Sequence, residues 1–224
     1  GHSLGEFSAY YAAGALSAPD AARVVRQRGL LMYEQGVARP GAMAAILGTL
    51  TTSIDDVCAK ATSEAGLVVP ANYNSPEQTV ISGEVAGVER AMTIAKEAGA
   101  KRCLPLPVSG AFHSPLMAPA ADGLRSALNA VSMRDADVPV YVNVDGSAVR
   151  ESAAARELLV QQLTSPVKWT LVMQNLAIAF PDAVFVEMGT GSVLTGLARR
   201  IAPNIKTMSC GTVAEIDTLM HLVA

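Results

Sequence analysis

The chain of 224 residues is 50% hydrophobic and only 17% charged, a balance that can bury a large core and excludes disorder as its resting state. A net charge of −3 without a basic stripe excludes a nucleic-acid surface, and no apolar run reaches the roughly 18 residues of a membrane span. Without a signal-peptide pattern at its start the chain is expected to be cytoplasmic, and its three cysteines (Cys58, Cys103, Cys210), lacking metal-ligand spacing, read as reduced and mostly buried, with no metal site and no bound cofactor.

In chain order, the first segment is Gly1-His2-Ser3-Leu4-Gly5, which fits G-x-S-x-G, the strand-to-helix elbow that exposes a serine hydroxyl at the end of a sheet. The strand that should lead into it is absent from the sequence. A helix follows, opened by Ser17-Ala18-Pro19-Asp20, with an apolar stripe through Ala21, Val24, Val25, Leu31 and Met32. Next comes strand (42–47), helix (53–65), strand (67–72), strand (78–82), helix (85–98), strand (102–106). This βαββαβ order predicts a ferredoxin-like unit over residues 41–108. The remainder reads as a helix from Pro119, a strand over 138–144, helices over 153–163 and 167–180, and a strand over 183–188. A glycine turn, a helix to Ile201, a strand over 205–209 and a last helix close the chain. The alternation of strands and helices predicts an α/β fold with a parallel sheet, its large subdomain made of residues 1–40 and 109–224.

Three residues are candidates for chemistry. Ser3 is either a nucleophile, with the Leu4 backbone N–H facing a developing oxyanion, or an ordinary helix cap. A serine hydroxyl needs a neighbouring base, and the chain has three histidines. His2 adjoins Ser3 and would point away from it, and His221 lies in the terminal helix. His113, in the loop "PVSGAFHSPLM", is placed to be a base or a structural loop histidine. Arg28 falls within the apolar stripe of its helix, so it needs an anion: a structural carboxylate or a substrate carboxylate held by two parallel hydrogen bonds.

Together, the segments "GHSLGEFSAY", "RQRGLLMYE", "GAMAAILG", "NYNSPEQTVISG", "KRCLPLPVSGAFHSPLM", "VPVYVNVDG", "QQLTSPVKW" and "EMGTGSVLTGL" resemble the malonyl-CoA:acyl carrier protein transacylase family along essentially the whole chain. The resemblance implies an α/β-hydrolase-like large subdomain carrying the ferredoxin-like insertion. It implies Ser3 as acyl-accepting nucleophile, His113 as general base oriented by the backbone carbonyl of Gln162, Arg28 as clamp for the malonyl carboxylate, and supporting roles for Asn72 and Asn74. Met32 is placed beside the substrate; Leu4 and Phe112 match a malonyl-selective pattern. The implied substrates are malonyl-CoA and phosphopantetheinylated acyl carrier protein, which is acidic and would dock on basic residues such as Lys168, Arg199, Arg200 and Lys206.

The resemblance also implies an upstream region holding strands of the main sheet and a second oxyanion donor. Losing one such donor costs about 2.7 to 4 kcal/mol, so this chain by itself is expected to turn over poorly. Competing readings are a malonyl-selective acyltransferase domain of a polyketide synthase, a serine hydrolase, in which Arg28 would have no purpose, and a segment that binds without turnover.

Overall fold

The computed structural model describes residues 1–108 and 110–223, so the boundary expected at residue 109 lies outside the described residues. Helices α1 (Leu4–Ala12) and α2 (Ala18–Ala38) come first. The start of α2 is set by its sequence. The Ser17 hydroxyl accepts from the Asp20 N–H at 3.2 Å, and Pro19 occupies the first turn, where no donor is needed.

Strands β1 (Ala42–Leu47), β2 (Val68–Ser75), β3 (Gln78–Gly83) and β4 (Arg102–Pro105) form an antiparallel sheet in the order β2-β3-β1-β4, interleaved in the chain with α3 (Ile54–Ala65) and α4 (Val85–Glu97). This is the predicted βαββαβ arrangement. Ala44 and Ile46 of β1 pack with Val57, Ala61, Val88 and Ala91 of the two helices. Met43 and Ala45, pointing the other way, pack with Ala71, Val80 and Phe112. Burial on both faces explains why β1 reads as a continuous apolar run and not as an alternation. β2 continues to Ser75, beyond the end expected at Asn72. Tyr73 and Ser75 still pair with Thr79 and Gln78, across register shifts, which shows that bulged pairing carries polar residues along a strand edge.

Beyond the sheet, a 3-10 helix over Pro115–Ala120 runs into α5 (Ala121–Asn129). The strand expected over 138–144 is corrected: only β5 (Val140–Tyr141) pairs, with β6 (Ala148–Val149). The reason lies in where its backbone donors go. The Asn143 N–H is taken by the Glu6 carboxylate at 3.0 Å and not by a neighbouring strand. α6 (Ser152–Gln161), α7 (Trp169–Ala179), β7 (Val184–Met188), α8 (Val193–Ile201), β8 (Lys206–Cys210) and α9 (Val213–Val223) follow, and β7 pairs with β8 in parallel. The fold is therefore α/β. Its largest core joins α1, α2, α5 and α6 through Phe7, Tyr10, Val24, Leu124 and Leu159, and a second packs α7 and α8 around Val167, Trp169 and Leu197. No helix among the described residues is long and apolar enough to cross a membrane.

Candidate active site

Ser3 caps α1 with a backbone φ of 50°, and His113, in the loop after β4, has φ 56°. Among the described residues these are the two non-glycine positions with positive φ. Such strain costs on the order of 1–3 kcal/mol each and persists only where the surroundings over-determine it. For Ser3 the surroundings are specific. Its N–H donates to Asn143 Oδ1 at 2.7 Å, while Asn143 Nδ2 donates to the Gly1 carbonyl at 2.8 Å. One fully buried amide thus grips the elbow on both sides. The first glycine of the motif has its own reason, since a Cβ on Gly1 would stand 2.0 Å from the Gly5 carbonyl oxygen.

The Ser3 hydroxyl lies 2.8 Å from His113 Nε2, across 110 residues of chain, and His113 Nδ1 lies 2.8 Å from the Gln162 carbonyl oxygen. A carbonyl can only accept, so Nδ1 carries the proton and Nε2 offers its lone pair to the serine. His113 is buried, and burial first, then the Arg28 guanidinium, pushes its pKa down to about 4. The imidazole is neutral at physiological pH and can accept a proton.

Arg28 completes the group from α2. Its Nη2 donates to Ser3 Oγ at 3.0 Å and to Gln162 Oε1 at 3.1 Å, and its carbon Cζ stands 5.5 Å from the centre of the Phe7 ring. Burial pushes its pKa down to about 10, with Glu6 opposing, so it stays cationic. None of the ion pairs among the described residues includes Arg28, and its buried Nε has no hydrogen-bond partner. A buried guanidinium with free donors beside a nucleophile is a site for an anionic group.

The remaining candidates divide. The Leu4 N–H, at the start of α1, makes no hydrogen bond among the described residues and lies next to Ser3. Gln162 caps α6, and its carbonyl oxygen lies against His113 Nδ1. Asn74 accepts from His2 Nε2 at 2.8 Å, so His2 is turned away from Ser3, toward β2 and the Trp169 ring. Asn72, also buried, makes no side-chain hydrogen bond among the described residues; the strand around it bridges to Val167. Met32, one turn beyond Arg28, is buried in the large core, and Phe112 packs between that core and the sheet. Arg199 and Lys206 are exposed, and Arg199 donates to Thr207 at 3.0 Å.

Three contributors escaped the sequence reading: Glu6, Asn143 and the side chain of Gln162. Glu6 reads locally as an acid complementing the dipole of the first helical turn. Its position four residues before Tyr10, on the same buried face, is the signal that points inward.

A strained serine poised on a neutral histidine, beside an inward guanidinium, can form and break an acyl ester. The chain belongs to the acyl transferase domain family, whose model matches residues 1–215. Malonyl CoA-acyl carrier protein transacylase of Bacillus subtilis (strain 168) is 49% identical over 217 residues, 97% of this chain and 68% of that protein. Among solved structures, an acyl carrier protein S-malonyltransferase from Vibrio cholerae superposes with a TM-score of 0.92 at 42% identity, covering 98% of this chain and 71% of its own. A malonyl-transacylase solved in complex with a type II polyketide acyl-carrier protein gives 0.92 at 40% identity, over 99% and 71%.

Proposed function

We propose that this chain transfers the malonyl group of malonyl-CoA to the phosphopantetheine thiol of acyl carrier protein, in the cytoplasm and without a bound cofactor. The observation that carries the reading is one oxygen, Ser3 Oγ, held at 2.8 Å by His113 Nε2 and at 3.0 Å by Arg28 Nη2. As Oγ attacks the thioester carbonyl its proton passes to His113, and the oxyanion forms against the Leu4 N–H. Collapse breaks the C–S bond, and His113 returns the proton to the departing coenzyme A. The malonyl group remains as an ester on Ser3. The carrier thiol then gives its proton to His113, attacks the ester carbonyl, and Ser3 leaves and regains a proton from His113.

Arg28 supplies selectivity. Its uncommitted donors meet the malonyl carboxylate, whereas an acetyl group would leave a buried guanidinium unpaired. Leu4, Met32 and Phe112 shape the acyl end of the site; Asn72 and Asn74 support it from β2. Lys168, Arg199, Arg200 and Lys206 are the proposed contacts for the acidic carrier.

Intact-mass measurement after incubation with malonyl-CoA tests the reading. The purified protein should gain one malonyl group, and Ser3→Ala should gain none. Arg28→Ala should shift preference from malonyl-CoA toward acetyl-CoA by about 10²-fold, the scale of losing a charge-assisted pair. If malonyl-CoA is predominantly hydrolysed in the presence of carrier protein, the chain is a hydrolase and the proposal is wrong. A polyketide carrier is the second reading, favoured by the likeness to a transacylase solved with such a carrier; transfer rates to the two carrier types separate it from the first.

A further inference from the structure

Glu6 is fully buried beneath the elbow, a carboxylate without an ion pair among the described residues. Its Oε2 accepts from Gln162 Nε2 at 2.8 Å and from the Asn143 N–H at 3.0 Å, while Oε1 has no partner among the described residues. A buried charge so placed must be compensated by something specific. The compensation runs through the Gln162 side chain. Its Nε2 donates to Glu6 and, at 3.1 Å, to the Ser3 carbonyl, and its Oε1 accepts from Arg28 at 3.1 Å.

The two ends of an amide side chain have nearly the same shape, so their assignment rests on partners. Here the partners leave one solution. A carboxylate and a carbonyl only accept, and a guanidinium only donates, so the NH2 end must face Glu6 and Ser3 and the oxygen must face Arg28. Turning the amide over would set oxygen against oxygen on one side and N–H against N–H on the other. We propose that Glu6 is a positioning residue for the Arg28 clamp: by directing the Gln162 amide it holds an acceptor against the guanidinium and fixes where the substrate carboxylate is gripped. Among the described residues Glu6 makes no hydrogen bond to Ser3 Oγ and acts through Gln162. Burial raises its pKa, and the Gln162 and Asn143 donors, the Gly1 amine and the Arg28 guanidinium oppose that shift. Because the Gln162 carbonyl also orients His113, one residue couples the clamp to the base.

The inference rests on the function proposed above, and its test separates the two. Rates of Ser3 acylation by malonyl-CoA and by acetyl-CoA are measured by intact mass for the wild type, Glu6→Gln and Glu6→Met, with thermal unfolding to confirm folding. Glu6→Gln keeps the shape and an acceptor oxygen but removes the charge. Its malonyl rate should fall by about tenfold more than its acetyl rate, the difference between a charge-assisted and a neutral hydrogen bond; Glu6→Met, which removes the acceptor, should lose more. The same comparison in a Gln162→Met background should show no added loss of discrimination from Glu6→Gln, since the link is already cut. Equal losses for both acyl groups, unchanged discrimination, or additive losses in the double variant would overturn the inference and leave the functional reading intact. A wild type that malonyl-CoA does not acylate at Ser3 would overturn the functional reading and the inference with it. If Glu6→Met does not fold, Glu6→Gln and the double variant decide the question.

Discussion

At the residue scale, the site turns on a histidine oriented by a carbonyl. A carboxylate in that place would stabilise the imidazolium and raise the histidine pKa; the neutral Gln162 carbonyl does so less, and burial with the nearby Arg28 charge holds it near 4. The expected consequence is a base that stays in its active, unprotonated form across the neutral and mildly acidic range. The acylation rate of Ser3 should be nearly flat from about pH 8 to about pH 5 and fall below that as His113 takes up a proton. An acid limb centred at the ordinary histidine value would contradict the burial argument. His113→Ala should slow acylation by about 10²- to 10⁴-fold, the usual weight of a positioned general base, with Ser3 still in place.

At the scale of elements, caps and close approaches decide. Ser53 opens α3 by accepting from the Asp56 N–H at 3.0 Å while its own hydroxyl donates to the Asp56 carboxylate at 2.6 Å. Ser53→Ala should lower unfolding stability by about 1 kcal/mol, read from chemical denaturation. Gly87 makes the opposite point. In the first turn of α4, alanine would gain up to about 1 kcal/mol in helix propensity. A Cβ there, however, would stand 2.3 Å from the Gly66 carbonyl oxygen, a backbone atom that cannot swing aside. Overpacking costs of about 1–3 kcal/mol exceed the propensity gain, so Gly87→Ala should be net destabilising by denaturation, and a stabilised variant would show that the loop gives way freely. The same scale shows why the strand expected over 138–144 shrank to Val140–Tyr141. Alternating valines suit a strand in any context, but Asn143 spends its backbone donor on Glu6 and its amide on the elbow, and the ladder ends there.

For the whole molecule, the buried site sets a dependence of stability on pH. The folded His113 pKa of about 4 lies below its ordinary value of 6.5, so the unfolded chain binds more protons between those values. Its contribution is complete above the unfolded pKa and is lost as pH falls through the folded one. The shift corresponds to a loss of roughly 3 kcal/mol. Glu6 works in the other direction, because a raised carboxyl pKa makes the folded state bind protons more readily as pH falls. Comparing the wild type with His113→Gln isolates the histidine: between pH 6.5 and 4 the wild type should lose roughly 3 kcal/mol more than the variant. Equal slopes would mean that His113 is protonated in the fold without penalty.

Much of this architecture was legible in the residues themselves. The apolar stripe and serine opening of α2 and the short apolar runs are local signals, and a local hydrogen bond or a 3.6-residue period acts in the same way wherever the segment is placed. They determined the βαββαβ order, the α/β class and, through the elbow motif, Ser3 as the candidate nucleophile. What Ser3 meets was implied by the family resemblance and by no local signal, and the tertiary structure alone supplied the geometry and the parts played by Glu6, Asn143 and the Gln162 side chain. His113 is 110 residues away, Arg28 touches Gln162 across 134 and Glu6 touches it across 156. No periodicity or spacing encodes such contacts. They exist because the large core brings α1, α2 and α6 together, and because the interrupted strand frees Asn143 to bond Glu6 and the elbow. An enclosed donor or acceptor is costly to leave unpaired, and the contacts made once the chain is folded join an arginine, a glutamine and a glutamate into one connected site, with Arg28 Nε and Glu6 Oε1 still without a partner among the described residues.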